Sequence, residues 1–334
     1  MKEVHWIVNA KALVNTDTWY GRLINQLIFP VIIAVIVLIM NLITRGRMLS
    51  GNGLYQIFVS SILNAIIGMA ISYTWSTGPD FAVAAAYILA ANVGIIATMK
   101  LGLGYFGLFG GSILTCVVLQ LISTWLRIKL KLPSWVLGMA ICLIYEAFGV
   151  MYSLWCTKQT VGGALIQLGP TDCKGIVKFP ADFLLWLGVI IVLMLIQNKT
   201  TFDLNYRAVS SNMEVAEHMG INSRKTIYIG VTIGAALMGI AGAFNAASAN
   251  LVNTTSNLGS FGQIARGLAA WLLSSGMRRM DPVLSIALSS FAISALFVFL
   301  TYLGVPQGTW MSFFLGMFIV VFLCLATRSN KKEE

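Results

Sequence analysis

Charge is what this sequence has least of. Asp, Glu, Lys and Arg together make up 10% of the 334 residues, where a soluble globule carries roughly 25% because something must face water. Hydrophobic residues reach 58% and the mean hydropathy is +0.83. A soluble surface, a disordered chain, a collagen and a disulfide-rich secreted scaffold are all excluded by these figures. The chemistry of catalysis is equally sparse. Only two histidines are present, His5 and His218, far apart and without Cys or acidic residues at metal-ligand spacing, so no metal site is expected. No Ser/His/Asp set or carboxylate pair suggests an enzyme. No Gly-x-x-x-x-Gly-Lys-Ser/Thr phosphate loop occurs, so the chain cannot hydrolyse ATP alone. The formal charge of +10 is not organised into basic blocks with interleaved aromatics, which removes nucleic acid as a partner.

What is present is a series of long apolar runs. About 20 apolar residues span a bilayer as a helix, and about ten such runs occur: 27–44, 54–75, 80–98, 101–125, 135–155, 181–197, 226–246, 258–275, 282–303 and 308–326. The expected fold is therefore all-α and polytopic, with about ten transmembrane helices across residues 27–326. Polar ends flank it, an N-terminal segment 1–26 and a tail 327–334. The first apolar run has no small-residue cleavage site and is not expected to be a removable signal. With both termini inside, fifteen Lys and Arg fall in inner segments and six in outer loops, with Arg266 inside a span. That positive-inside bias places the termini in the cytoplasm. The glycines inside the spans, such as Gly107, Gly110, Gly234, Gly239 and Gly242, suit close helix packing.

Charges within the spans are costly, roughly 2.5–3.5 kcal/mol each at a helix centre on insertion scales. They generally face a bundle interior and find partners. Glu146 and Arg266 are the two such residues, and a pairing of one with the other is the hypothesis, with a place along a solute path as the alternative. Asp80, after Gly78-Pro79 and before an Ala-rich run, reads as a helix N-cap favoured by the helix dipole or as part of a broken helix near a pathway. Cys116, Cys142 and Cys324 lie in spans as packing residues. Cys156 and Cys173 share an outer loop rich in Gly and Pro, where a disulfide is a possibility open to test.

The longest inner loop, about 198–225, contains a short helix signal. Ser211 and Glu214 have capping-box spacing, Gly220 marks a C-terminal cap, and Met213, Ala216 and Met219 fall on one face. So short a helix needs something to pack on, its own membrane domain or a soluble partner. The run from Ala208 to Asn222, containing Ser211, Asn212, Glu214, Val215, Ala216, Gly220, Ile221 and Asn222, resembles the cytoplasmic coupling segment of ribose-type ABC sugar permeases. Two further elements agree in order: Gly78-Pro79-Asp80-Phe81-Ala82-Val83 and Leu132-Pro133-Ser134-Trp135. Departures are Ala82-Val83-Ala84 in place of the family's Ser-Val-Gly, and Ser274–Met280 in place of its glycine-rich inner loop.

The resemblance implies a permease subunit of a binding-protein-dependent importer in a prokaryotic plasma (inner) membrane. Its implied partners are an ABC ATPase subunit that uses ATP, a second permease copy or paralogue, and an extracytoplasmic solute-binding protein, with membrane lipid around them. No cofactor is implied for this chain. The implied cargo is a small polar solute, a sugar first, with nucleosides or branched-chain amino acids as alternatives. An ion-coupled secondary transporter is the competing class, and a membrane enzyme a third.

Overall fold

The computed structural model describes residues 19–75, 78–157, 165–167, 172–249, 251–275, 280–306, 308, 310–317 and 320. It is all-α apart from one small ribbon. The helices are α1 (Trp19–Ile43), α2 (Gly51–Thr74), α3 (Ala82–Leu101), α4 (Phe106–Leu130, opening with a π turn over Phe106–Gly110), α5 (Ser134–Thr157), α6 (Ala181–Lys199), α7 (Thr201–Ser211), α8 (Met213–His218), α9 (Ser223–Ala249), α10 (Ser260–Ser275) and α11 (Pro282–Tyr302). Residues 310–317 are again helical. Strands β1 (Leu165–Gln167) and β2 (Leu251–Asn253) pair antiparallel, Ile166 opposite Val252.

Among the described residues seven helices are long and apolar enough to cross a membrane: α2, α3, α4, α5, α6, α9 and α11. Of the other three expected spans, 27–44 coincides with α1 as far as Ile43, and α1 already begins at Trp19 in the stretch expected to be a polar N-terminal segment. The run 258–275 forms α10, only 16 residues long, and 308–326 is described mainly over 310–317. Residues 1–18 and the tail 327–334 lie outside the described residues. One boundary moves clearly. The expected break at Lys100 falls instead at Gly102 and Gly104, both at positive φ, and α4 then runs on to Leu130. This brings Arg127 and Lys129 into its last turn, where cations complement the helix dipole.

Helix association in lipid rests on close packing and hydrogen bonds rather than on hydrophobic burial, and the sequence supplies the small residues for it. Helix α3 is 83% buried over its apolar window and is the central strut, whereas α6 at 17% is peripheral. A main body joins α2 to α5, α9 and parts of α6 and α10, and a second cluster joins α1 with α10, α11 and the 310–317 helix. Tyr206 of α7 donates to the carbonyls of Ser72 and Tyr73 at the end of α2. A Cβ at Gly138, on α5, would meet Asp80 at the start of α3. The ends of α2 and α4 and the starts of α3, α5 and α9 therefore meet at one end of the bundle, with α7 and α8. Arg127, Lys129, Lys199, Arg207, Arg224 and Lys225 all gather there, so we call it the basic end.

Candidate functional site

Two short helices, α7 and α8, make an elbow at the basic end. Helix α7 is held down by Tyr206, whose ring packs on Gly230 of α9 and on Tyr73. Asp203 and Arg207, one turn apart, form an ion pair at 2.7 Å. Burial pushes the Asp203 carboxyl above its ordinary value, and the Arg207 guanidinium pulls it part of the way back. The elbow turns at Asn212, whose extended backbone ends α7. Its side-chain oxygen accepts from Val215 N–H at 3.1 Å to start α8.

This corrects the capping expectation by one residue. Ser211 is the last residue of α7, and its hydroxyl donates back to the Arg207 carbonyl; Asn212 is the cap. At the other end Gly220 sits at φ +83°, with Gly220 N–H on the Glu217 carbonyl and Ile221 N–H on the Ala216 carbonyl. That is a Schellman stop, the left-handed turn a glycine makes without penalty. Asn222 then accepts from Lys225 N–H and opens α9.

The faces of α8 differ sharply. Ala216 is 1% exposed and packs with Val209, Ile227 and Val231. Met213, Val215 and Met219 are exposed at 40%, 53% and 73%, and Glu214 and Glu217 stand among them. Of the three residues expected to share one face, Ala216 turns inward while Met213 and Met219 are exposed. An open cleft of about 350 Å³ is lined by Glu217, Gly220, Ile221, Asn222 and Arg224 beside it.

Glu146 lies twelve residues into α5, near its mid-length. Its carboxylate accepts from Ser260 N–H at 2.8 Å, Leu258 N–H at 2.9 Å and the Thr255 hydroxyl at 3.4 Å. These donors are the first turn of α10 and the loop before it, so α10 begins at mid-depth with a carboxylate on its N-terminus, where orphan N–H groups and the dipole favour an anion. The ion pair expected between Glu146 and Arg266 is absent. Arg266 projects to the surface of α10 and lies over the Phe297 ring, 4.0 Å from its centroid. A cavity of about 10 Å³, room for about one water, is lined by Tyr145, Glu146, Thr254 and Thr255 among apolar groups of α3.

Asp80 is buried just before α3, whose cap position is Phe81, and its side chain serves the first helical N–H. Its carboxylate accepts from Ala82 N–H at 3.0 Å and the Ser123 hydroxyl at 3.4 Å. Trp75 donates its indole N–H to the Asp80 carbonyl, and Arg127 is an electrostatic neighbour of both Asp80 and Tyr206. Asp80 and Glu146 sit at different depths and do not meet.

The family model described as "Branched-chain amino acid transport system / permease component" matches residues 51–323. The chain belongs to this family of ABC transporter permeases. It is thus a membrane-embedded transport subunit rather than an enzyme. No curated protein and no solved structure gave a match.

Three features of the permease were not anticipated. One is the hydroxyl lock of Tyr206, which nothing in its local pattern announced. Another is the set of backbone donors around Glu146. The third is a polar face on α4, for which the signal existed in the four-residue spacing of Ser112, Cys116, Gln120 and Thr124. The Cys156–Cys173 disulfide raised as a possibility lies outside the described residues, since the Cys156 side chain is among those not described. Cys173 is buried in the 3-10 turn Asp172–Val177.

Proposed function

We propose that this permease forms the translocation path of a binding-protein-dependent ABC importer and is driven by a separate ATPase that docks on α8. The observation that carries the reading is the division of α8: a buried Ala216 anchors it to the bundle, while Met213, Val215 and Met219 face outward with two carboxylates between them. An amphipathic helix presenting apolar anchors suits a groove on a partner. The basic end is then cytoplasmic, in the plasma membrane of a prokaryote, in keeping with the positive-inside rule. A second permease copy or a paralogue would complete the path, and an external solute-binding protein would deliver the cargo.

For the cargo we propose a small polar solute, a sugar before a branched-chain amino acid; the second reading is supported by the description of the matching family. Competition of unlabelled ribose-type sugars and of leucine against uptake by cells expressing the whole transporter separates the two. For the coupling role the test is Glu214→Arg. It reverses an exposed charge, so stability should move by no more than about 0.5 kcal/mol, while uptake and co-purification of the ATPase are lost. Undiminished uptake by that variant would refute the assignment.

A further inference from the structure

Helix α4 divides its faces as a membrane helix does, apolar outward and polar inward, but the inward groups lack the partners such groups ordinarily find. Leu114, Val118, Ile122 and Trp125 are exposed on one side at 70%, 47%, 46% and 49%. On the opposite side, three to four residues apart, lie Ser112, Cys116, Gln120, Thr124 and Arg127, all buried. Four of these carry polar atoms with no hydrogen-bond partner: the hydroxyls of Ser112 and Thr124, both ends of the Gln120 amide, and both terminal nitrogens of Arg127. Buried polar groups are ordinarily satisfied, and a dry apolar interior makes an unsatisfied one expensive. A helix that faces its hydroxyls, amide and guanidinium inward and leaves them unpaired is matched to an environment this packing does not provide.

The neighbours of that face approach it closely at glycines. A Cβ on Gly94 of α3 would fall 2.2 Å from the Ser112 hydroxyl, and one on Gly239 of α9 would fall 2.6 Å from Ile113 Cα. Helix α4 is therefore wedged between two backbones with no side chain interlocking it at those points. From there the polar face runs for about four turns to Arg127 at the basic end, which feels the charge of Asp80.

We propose that the face of α4 bearing Ser112, Cys116, Gln120, Thr124 and Arg127 is a lane through which water, and a solute bearing hydroxyl or amide groups, passes when the helices part. The structure holds this lane in its shut form. Hydroxyls and an amide both donate and accept, which fits a polyhydroxylated or otherwise neutral polar solute. The inference rests on the transport role proposed above and assigns residues to it.

Cys116 is a native reporter on the lane. Membranes containing the whole transporter are treated with a small cationic methanethiosulfonate, and modification of the Cys116 peptide is followed by mass spectrometry. Gln120→Cys and Thr124→Cys are followed in the same way, with Val118→Cys and Ile122→Cys as lipid-facing references. A thiol that meets water ionises and reacts, so the three lane positions should be labelled at least about tenfold faster than the two references. Equal rates at lane and reference positions overturn the lane. Because Cys116 needs no substitution, misfolding of an engineered variant does not rescue the idea. Solute uptake measured in the same preparation reports on the transport role separately: uptake with unlabelled lane positions removes the lane and leaves the permease reading intact.

Discussion

Replacing Glu146 by Gln changes one atom at the point where α10 begins. The carboxylate serves Ser260 N–H and the Thr255 hydroxyl through one oxygen and Leu258 N–H through the other. The amide keeps one acceptor. Turned to favour Ser260, it sets its NH₂ against Leu258 N–H at a separation of 2.9 Å in the native structure, donor facing donor. The loss is one charge-assisted hydrogen bond, worth about 1.5–3 kcal/mol, together with a charge on a helix N-terminus, worth about 1–2 kcal/mol when partly buried. Relief of carboxylate burial offsets part of this. The net destabilisation should be about 2–4 kcal/mol, a fall of roughly 3–6 °C in melting temperature for a chain of this size. Thermal unfolding of the detergent-purified protein measures it. Arg266→Met, which removes the contact with Phe297, should add to Glu146→Gln without coupling, because the two side chains hold different partners. A Glu146→Gln melting point within about 1 °C of native, or a double variant no worse than either single one, would refute the capping geometry.

Other perturbations follow from the same contacts. Gly239→Ala drives a methyl group into the Ile113 backbone at 2.6 Å and should cost about 1–3 kcal/mol. Gly110→Ala, with nothing within 4 Å of the new carbon, should be neutral or gain about 0.4–1 kcal/mol; equal effects in melting experiments would contradict the packing of α4 on α9. Folding raises the Asp203 carboxyl above its ordinary 3.8. The stability it contributes is therefore fully present below 3.8 and lost as pH rises through the folded value. Asp203→Asn should flatten that part of the stability–pH curve and melt no lower than native at pH 7, in spite of the 2.7 Å pair with Arg207; an unchanged slope would show that burial does not dominate there.

The membrane architecture was legible because its signal is an average over some twenty residues, which local detail does not erase. The ends of elements were less so. Ser211 and Asn212 are adjacent residues of equal capping ability, and only the extension of α7 from Thr201 decides that the first ends one helix and the second starts the next. Glu146 stood out as a charge in an apolar run, but its partners are backbone N–H groups, which every residue carries and no sequence pattern marks. A sequence shows the charge of Arg266 and invites a pairing with it, whereas the amides that hold Glu146 are not visible there. Gly220 was read correctly since a left-handed stop leaves a residue-type signature. Tyr206 has a partner more than a hundred positions away, and such a contact leaves no local trace.

The cap on α10 also sets an order of events during synthesis. Glu146 precedes its donor at Ser260 by 114 positions. At roughly 5–20 residues per second that separation is about 6–23 s of translation. Throughout that interval α5 must reside in the bilayer with a carboxylate that has none of its eventual partners. The apolar remainder of α5 has to carry the burden alone, against roughly 2.5–3.5 kcal/mol for an acidic residue at mid-helix. Strand β1 waits in the same way for β2, Ile166 for Val252, so the ribbon and the cap both close only after α9 has crossed. A ribosome paused within α9 therefore holds a half-built bundle whose central acidic group is still waiting for its helix.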